Sequence, residues 1–334
     1  MNTLSSSDNG QPISVTPDLE AVLQALQSDD EHAVASTALY YGLSASTADS
    51  LERIKPVWET LSPDRRKKIV QALAEASETD FELDYHTFGL FNLDDSEPEV
   101  RKTALDMLWI DESIELMDRL IDLAQWDESL QVRTEAVKVL GRFIYLGEME
   151  DLPQIEVARA QNTVISLYHD MDQDVEIRRR ALEAISNSSH EIVEEAILES
   201  YADSDQQMKT SAIYAMGRSC DQQWEDWILR ELDADDPALL YEAVQAAGEL
   251  GLASAVPQLT RLSQESDREI QEGVVWSLGE IGGNEALRVL STLADQWAEG
   301  EDDDMLEAIE DAIGNASLSM DVSTLLDFDL GLDD

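Results

Sequence analysis

The sequence predicts an all-α protein, a right-handed α-solenoid of stacked antiparallel helix pairs. Three columns of residues carry that prediction. Aliphatic anchors recur at Val100, Val132, Ile177, Met208, Leu239 and Ile270, spaced by 32, 45, 31, 31 and 31 residues. Four residues after each anchor stands a small or β-branched residue: Ala104, Ala136, Ala181, Ala212, Ala243 and Val274. Nine after it stand Trp109, Gly141, Ser186, Gly217, Gly248 and Gly279. A fixed period in this range marks units that bury their apolar faces only by stacking on neighbours.

The elements follow in order. Residues 1–17 are rich in Ser, Asn, Gly and Pro and read as a disordered N-terminus. Residues 18–96 read as irregular helical repeats. Thr16-Pro17-Asp18 opens a helix on Leu19, Val22, Leu23 and Leu26, and Asp30 to Tyr41 gives a second. Leu51, Ile54, Val57, Trp58 and Leu61 fit a third helix, which Pro56 must kink or start. RRKKIVQALAEA over 65–76 fits a fourth. Asp80 to Asp95 lacks an anchor and reads as a loop with a short helix.

From residue 97 to 316 the array is regular. Each unit starts three residues before its anchor with an acidic or hydroxyl residue: Glu97, Ser129, Asp174, Asp205, Asp236 and Asp267. Such side chains accept from free N–H groups of the first turn and suit the helix dipole; Glu is the weakest capper of the set. Second amphipathic segments such as SIELMDRLIDLAQ and HEIVEEAILESYAD lie between these helices. The long spacing marks an insertion near 145–170 that lengthens a helix or adds a loop. Met305, Ile309 and Gly314 make a poor last copy with an acidic face, and residues 317–334 form an acidic-apolar tail without period. About eight or nine helix pairs result.

The composition limits the function. Lys and Arg number 22 against 72 Asp and Glu, a formal net charge of -50. Nucleic-acid binding rests on cations that neutralise phosphates, and anionic membranes repel such a chain; neither partner is expected. Two readings of the acidity stay open: a basic partner steered by the field, or a solvated surface suited to high salt. The single Cys220, the absence of a secretory pattern at the N-terminus and the absence of a long apolar run give a cytoplasmic location without membrane insertion as the expectation.

The stretches EPEVRKTAL, SLQVRTEAVKVLG, DVEIRRRALEAIS and REIQEGVVWSLGEIGG resemble HEAT repeats, most closely the short bacterial kind found in phycobilisome-lyase-type proteins. The resemblance covers about two thirds of the chain. It implies a fold that hosts many activities. In such repeats the Arg after the anchor resembles a ladder residue pairing with an Asp of an adjacent unit. Arg101, Arg133, Arg178 and Lys209 fit, whereas Leu240 and Gln271 depart, so a ladder should stop there.

Chemistry is sparse. Deoxyhypusine hydroxylases resemble this architecture and use several His-Glu dipeptides; here only His190-Glu191 occurs among His32, His86, His169 and His190. One such dipeptide cannot hold a metal of that class and reads as a helix start. Cys220, beside Asp221, lacks the electropositive setting of a nucleophile. The clusters EDDD (301–304), DADD (233–236) and DMDQD (170–174) lack the EF-hand pattern and read as helix caps. No nucleotide signature is present. RRKK (65–68) and RRR (178–180) are dispersed around their helices by the geometry. No catalytic residue, metal or cofactor is therefore expected.

The expected function is a non-enzymatic scaffold or adaptor for a protein partner. An assisting subunit of a phycobilin lyase or isomerase is the alternative that the resemblance implies, and a metal-dependent hydroxylase ranks below it. The column after the Gly position reads Ile110, Arg142, Asn187, Arg218, Glu249 and Glu280. Facing inward, it would grade from basic to acidic and seat a basic segment of the partner against Glu242, Glu249 and Glu280. Trp109 and Trp276 are expected beside it on second helices that line the inner face. The partner-binding candidates are thus Trp109, Arg142, Arg218, Glu242, Glu249, Trp276 and Glu280.

Overall fold

The computed structural model describes residues 19–329 except 29, 31–35, 45, 81, 299 and 301, with side chains through Leu318. The expected disordered N-terminus, the Thr16-Pro17-Asp18 helix start and His32 lie outside these residues. The described chain is helical, with no strand among them. Two units divide at Ala136 and Val137, inside helix α8 (Leu130–Glu148).

The first unit holds α1 (Leu19–Gln27), α2 (Thr37–Ser44), α3 (Ala48–Trp58), α4 (Pro63–Thr79), α5 (His86–Asn92), α6 (Pro98–Met107) and α7 (Ile114–Trp126). Pro56 sits inside α3 near its C-terminal end. α3 starts instead with a capping box between Thr47 and Ser50. α4 packs on α6 and α5 packs on α6, as expected of stacked pairs. The link between layers is ionic. Arg66 donates to Asp95 at 2.9 Å and to the Leu61 carbonyl at 2.7 Å. Asp95 also accepts from the Trp58 indole at 3.1 Å and from the Glu97 backbone at 2.9 Å. One unit on, Arg101 forks onto Asp127 at 2.7 and 2.8 Å and reaches the Asp95 carbonyl at 2.7 Å.

The ladder therefore begins one unit earlier than the sequence pattern suggested, at Arg66. It also changes partner along the chain. Lys209 pairs with Glu231 at 2.9 Å. Arg178 instead donates to the Tyr168 carbonyl at 3.1 Å and lies 5.9 Å from that ring's centroid. Gln271 keeps only the carbonyl contact, donating to Glu265 at 2.7 Å.

The second unit continues from Val137 with the rest of α8, α9 (Gln154–His169), α10 (Val175–Ile185), α11 (Ile192–Tyr201), α12 (Gln206–Arg218), α13 (Glu225–Glu231), α14 (Pro237–Glu249), α15 (Val256–Leu262), α16 (Arg268–Ile281), α17 (Gly283–Trp297) and α18 (Asp303–Asp329). The insertion appears as a 19-residue α8 followed by a 16-residue α9. Short 3-10 turns precede α13 and α15. α10, α12, α14, α16 and α18 pack in sequence as an inner row, with α9, α11, α13, α15 and α17 each against an inner neighbour. Asp174, Asp205, Asp236 and Asp267 cap their helices through side-chain hydrogen bonds, whereas Glu97 makes none. Where an aperiodic tail was expected from 317, α18 continues to Asp329.

The recurring glycines set the spacing of the inner row. A Cβ on Gly141 would stand 3.1 Å from the Ala184 backbone, one on Gly217 2.9 Å from Ala246, one on Gly248 2.8 Å from Ser277 and one on Gly279 3.1 Å from Ala312. Each partner lies seven residues after its own anchor, and each is Ala or Ser. The small column at plus nine thus seats against a small column at plus seven of the next inner helix. Ser277 adds a buried hydrogen bond to the Val244 carbonyl at 2.7 Å.

Candidate functional site

From α8 onward the inner-row helices leave the residues at plus six and plus ten from each anchor at least partly exposed. On a helix those positions share one face. α8 contributes Lys138, Arg142 and Tyr145; α10 contributes Arg180 and Glu183, with Asn187 just beyond its end; α12 contributes Tyr214 and Arg218. Together they line a concavity of about 330 Å³. A second, of about 470 Å³, is lined by Met149, Arg218, Glu249, Trp276 and Glu280 among others. Tyr145, Asn187 and Arg218 belong to both, so the two form one trough across five helices.

The trough is internally paired. Arg218 meets Glu249 at 3.1 Å and lies 5.4 Å from the Tyr214 centroid. Arg180 is held by Glu176 at 2.9 and 3.0 Å and by Glu183. Arg179 donates to Glu176 at 2.6 Å and to Ser211 at 3.0 Å, and Ser211 passes a hydrogen bond to Glu183 at 2.6 Å. The RRR run is dispersed as expected: Arg178 turns to Tyr168, and the other two join this inner network. RRKK is dispersed likewise, with Arg65 on the carbonyls of Ala25 and Leu26, Arg66 on Asp95 and Lys67 on Glu99.

Glu242 stands beside this network. Burial, reinforced by Glu183 and Glu249, pushes its carboxyl up to about 7, against the pull of Arg180 and Arg179. Burial also raises Glu249, opposed by Arg218. The smooth basic-to-acidic gradient read from the sequence is therefore interrupted. Glu249 is engaged by Arg218, and Glu242 is poorly disposed to hold a full negative charge near neutrality.

Six of the seven predicted residues lie in the second unit. Arg142, Arg218, Glu249, Trp276 and Glu280 line the trough, and Glu242 lies next to Glu183 and Glu249. Trp276 is 38% exposed. Trp109 is the exception. It sits in the turn after α6, in the first unit, and its indole donates to Ser77 at 3.2 Å. Its plus-nine position packs toward the neighbouring layer rather than onto the plus-six and plus-ten face. The column after the Gly position did not point to Lys138, Tyr145, Arg180, Glu183 or Tyr214. Stepping back three or four residues from that column along the same face would have found most of them.

The other candidates resolve as local structure. His190 accepts from the Ile192 backbone at 3.2 Å at the start of α11. Asp170, Asp233 and Asp302 accept hydrogen bonds from turns or neighbouring side chains. Trp224 is buried, its indole donating to Ser219 at 3.0 Å, and Trp227 meets it edge-on at 5.7 Å. Cys220 is exposed. Among the described residues no three or more His, Cys, Asp or Glu side chains gather as a metal site would require. No described helix is long and apolar enough to cross a membrane.

The family of HEAT repeats matches residues 225–314, which span α13 to the first part of α18. The CpcE–CpcF complex of phycocyanin lyase from Nostoc sp. PCC7120 has the same architecture. It is 14% identical, with 87% of this chain and 99% of that chain covered and a TM-score of 0.50. Residues 225–314 carry HEAT repeats, and the chain shares the fold of HEAT-type solenoids. Other solved structures that this chain resembles include YibA of E. coli, at 15% identity, 86% and 98% coverage and a TM-score of 0.44. Human deoxyhypusine hydroxylase aligns at 17% identity, 79% and 95% coverage and a TM-score of 0.35. Among curated proteins none matches the sequence. At these identities the likeness is one of fold.

Proposed function

We propose that this protein is a non-enzymatic scaffold that holds a protein partner along the inner-helix trough of its second unit. The observation that carries the reading is the continuity of the trough. Consecutive inner helices present Tyr145, Met149, Tyr214 and the part-exposed Trp276 between charged groups of both signs. Aromatic side chains flanked by charge are what protein interfaces use as anchors. A basic residue of the partner is received at the end formed by Glu148 and Glu280, since Glu249 is engaged by Arg218.

The test is affinity capture from the native cell at two salt concentrations, with wild type, Trp276→Ala and Glu280→Lys. A stoichiometric partner should come down with wild type and be reduced about tenfold or more by either substitution, a loss of at least ~1.4 kcal/mol. Capture that survives both substitutions would refute the assignment to this trough. Mixing the protein with a bilin addresses the phycobilin-lyase alternative: a new tetrapyrrole absorption band would favour it over the scaffold.

A further inference from the structure

One end of the trough has the wrong sign for its surroundings. The chain carries 22 cationic side chains against 72 acidic ones. Yet Lys138, Arg142, Arg180 and Arg218 converge on one concavity of about 330 Å³, with Glu183 as the single carboxylate among its lining residues. Glu176 and Glu249, outside that lining, hold Arg180 and Arg218. The rest of the chain runs more than three to one the other way.

Those carboxylates act as struts. Arg180 is fixed from Glu176 and Glu183, and Arg218 is fixed through its Nε by Glu249 with Tyr214 alongside. Held guanidinium groups lose less freedom when a ligand arrives, and their planar forks suit oxyanions. Lys138 and Arg142 are four apart on α8 and share a face. The two phenols, Tyr145 and Tyr214, supply hydroxyl groups at the rim.

We propose that the concavity between α8, α10 and α12 is an oxyanion site, which takes a phosphate-type dianion or a cluster of carboxylates. The proposal is independent of the scaffold reading: the site is occupied whether or not Trp276 and Glu280 grip a protein. The anion comes either as a free small molecule or as acidic side chains on a polypeptide, and the two sources are separable.

The experiment uses the full chain and two probes, inorganic phosphate and a fluorescein-labelled hexaglutamate peptide. Both are titrated at fixed moderate ionic strength set with potassium chloride. Screening over ~10 Å then mutes the distant acidic groups and spares contacts at hydrogen-bonding distance. Saturable binding of one probe is expected, weakened about tenfold by Arg142→Ala, as for loss of one charge-assisted hydrogen bond. Lys138→Ala should weaken it in the same direction and serves if Arg142→Ala disturbs folding by circular dichroism. Arg261→Ala changes charge equally at an exposed pair with Asp233 and should leave affinity unchanged. Phosphate binding with this pattern identifies a free anion; peptide binding alone identifies an acidic segment. Absence of saturation with both probes, or equal weakening by Arg261→Ala, overturns the proposal. Saturable binding that persists in Trp276→Ala and Glu280→Lys, together with failed partner capture, removes the scaffold and leaves the anion site standing.

Discussion

Replacing Glu242 by Gln should stabilise the protein at alkaline pH and leave it unchanged in acid. The carboxyl is pushed up to about 7 in the folded chain from an ordinary 4.5 by burial and by Glu183 and Glu249. A folded-state value above the unfolded one means that the native protein binds the proton more tightly. Its contribution to stability is full below pH 4.5, and it is lost as the pH rises through about 7. Each pH unit of separation is worth ~1.4 kcal/mol, so the ionised carboxylate costs about 3 kcal/mol above neutrality. Gln preserves the shape and removes the charge. Urea unfolding followed by Trp fluorescence, run from pH 4 to pH 8 for wild type and variant in parallel, isolates the difference from all other titrations. The variant should gain about 3 kcal/mol at pH 8 and nothing near pH 4, with the change centred between those limits. A constant difference across that range would show that Glu242 is not linked to folding and that its setting is more solvated than the packing implies.

Three further outcomes follow from the packing. Arg101→Met leaves Asp127 buried without its cation and should cost about 3–5 kcal/mol by thermal or urea unfolding. Changing Asp127 to Leu in the same chain should recover part of that loss, and a double variant no better than the single would count against the buried pair. Gly248→Ala gains ~1 kcal/mol of helix propensity but drives a Cβ to 2.8 Å from both the Ser277 backbone and the Trp276 ring, so a net loss of about 1–3 kcal/mol is expected. Cys220 has φ 54°, whereas the same register holds Gly251 at φ 60° and Gly282 at φ 63°; Cys220→Gly should raise stability by about 1 kcal/mol. An unchanged melting temperature would remove the case for strain at Cys220.

The fold was legible because its determinants are periodic and local. Anchors, small residues and Asp caps each recur at one register, and every anchor from Val100 to Ile270 is buried. What the period hid was pairing across layers. Arg66 plays the part of Arg101 in a segment whose anchor column has lost its aliphatic residue, so no spacing rule reaches it. The plus-seven column of Ala184, Ala246, Ser277 and Ala312 is equally ordinary in sequence. Its meaning comes only from the glycines it faces one helix away. Trp109 is a different case: a large side chain at a small position, it lies in the first unit with its indole donating to Ser77, yet it stays 40% exposed.

The charge of the site was harder to read for a different reason. Net charge is a sum over the chain, and it governs long-range steering. A contact site is governed by the few groups within hydrogen-bonding reach, and the solenoid selects those by register rather than by neighbourhood in sequence. Lys138, Arg142, Arg180 and Arg218 come from three helices and span 80 residues, yet they meet in one concavity. The basic-partner expectation followed the chain-wide sign and placed Glu242 and Glu249 as open acceptors. Folding engages Glu249 through Arg218 and drives Glu242 toward neutrality, so the inner face presents cations where the composition predicts anions. A ligand for this face must therefore match its local pattern, cationic groups around α8 to α12 and acidic ones at Glu280, rather than the field of the whole molecule.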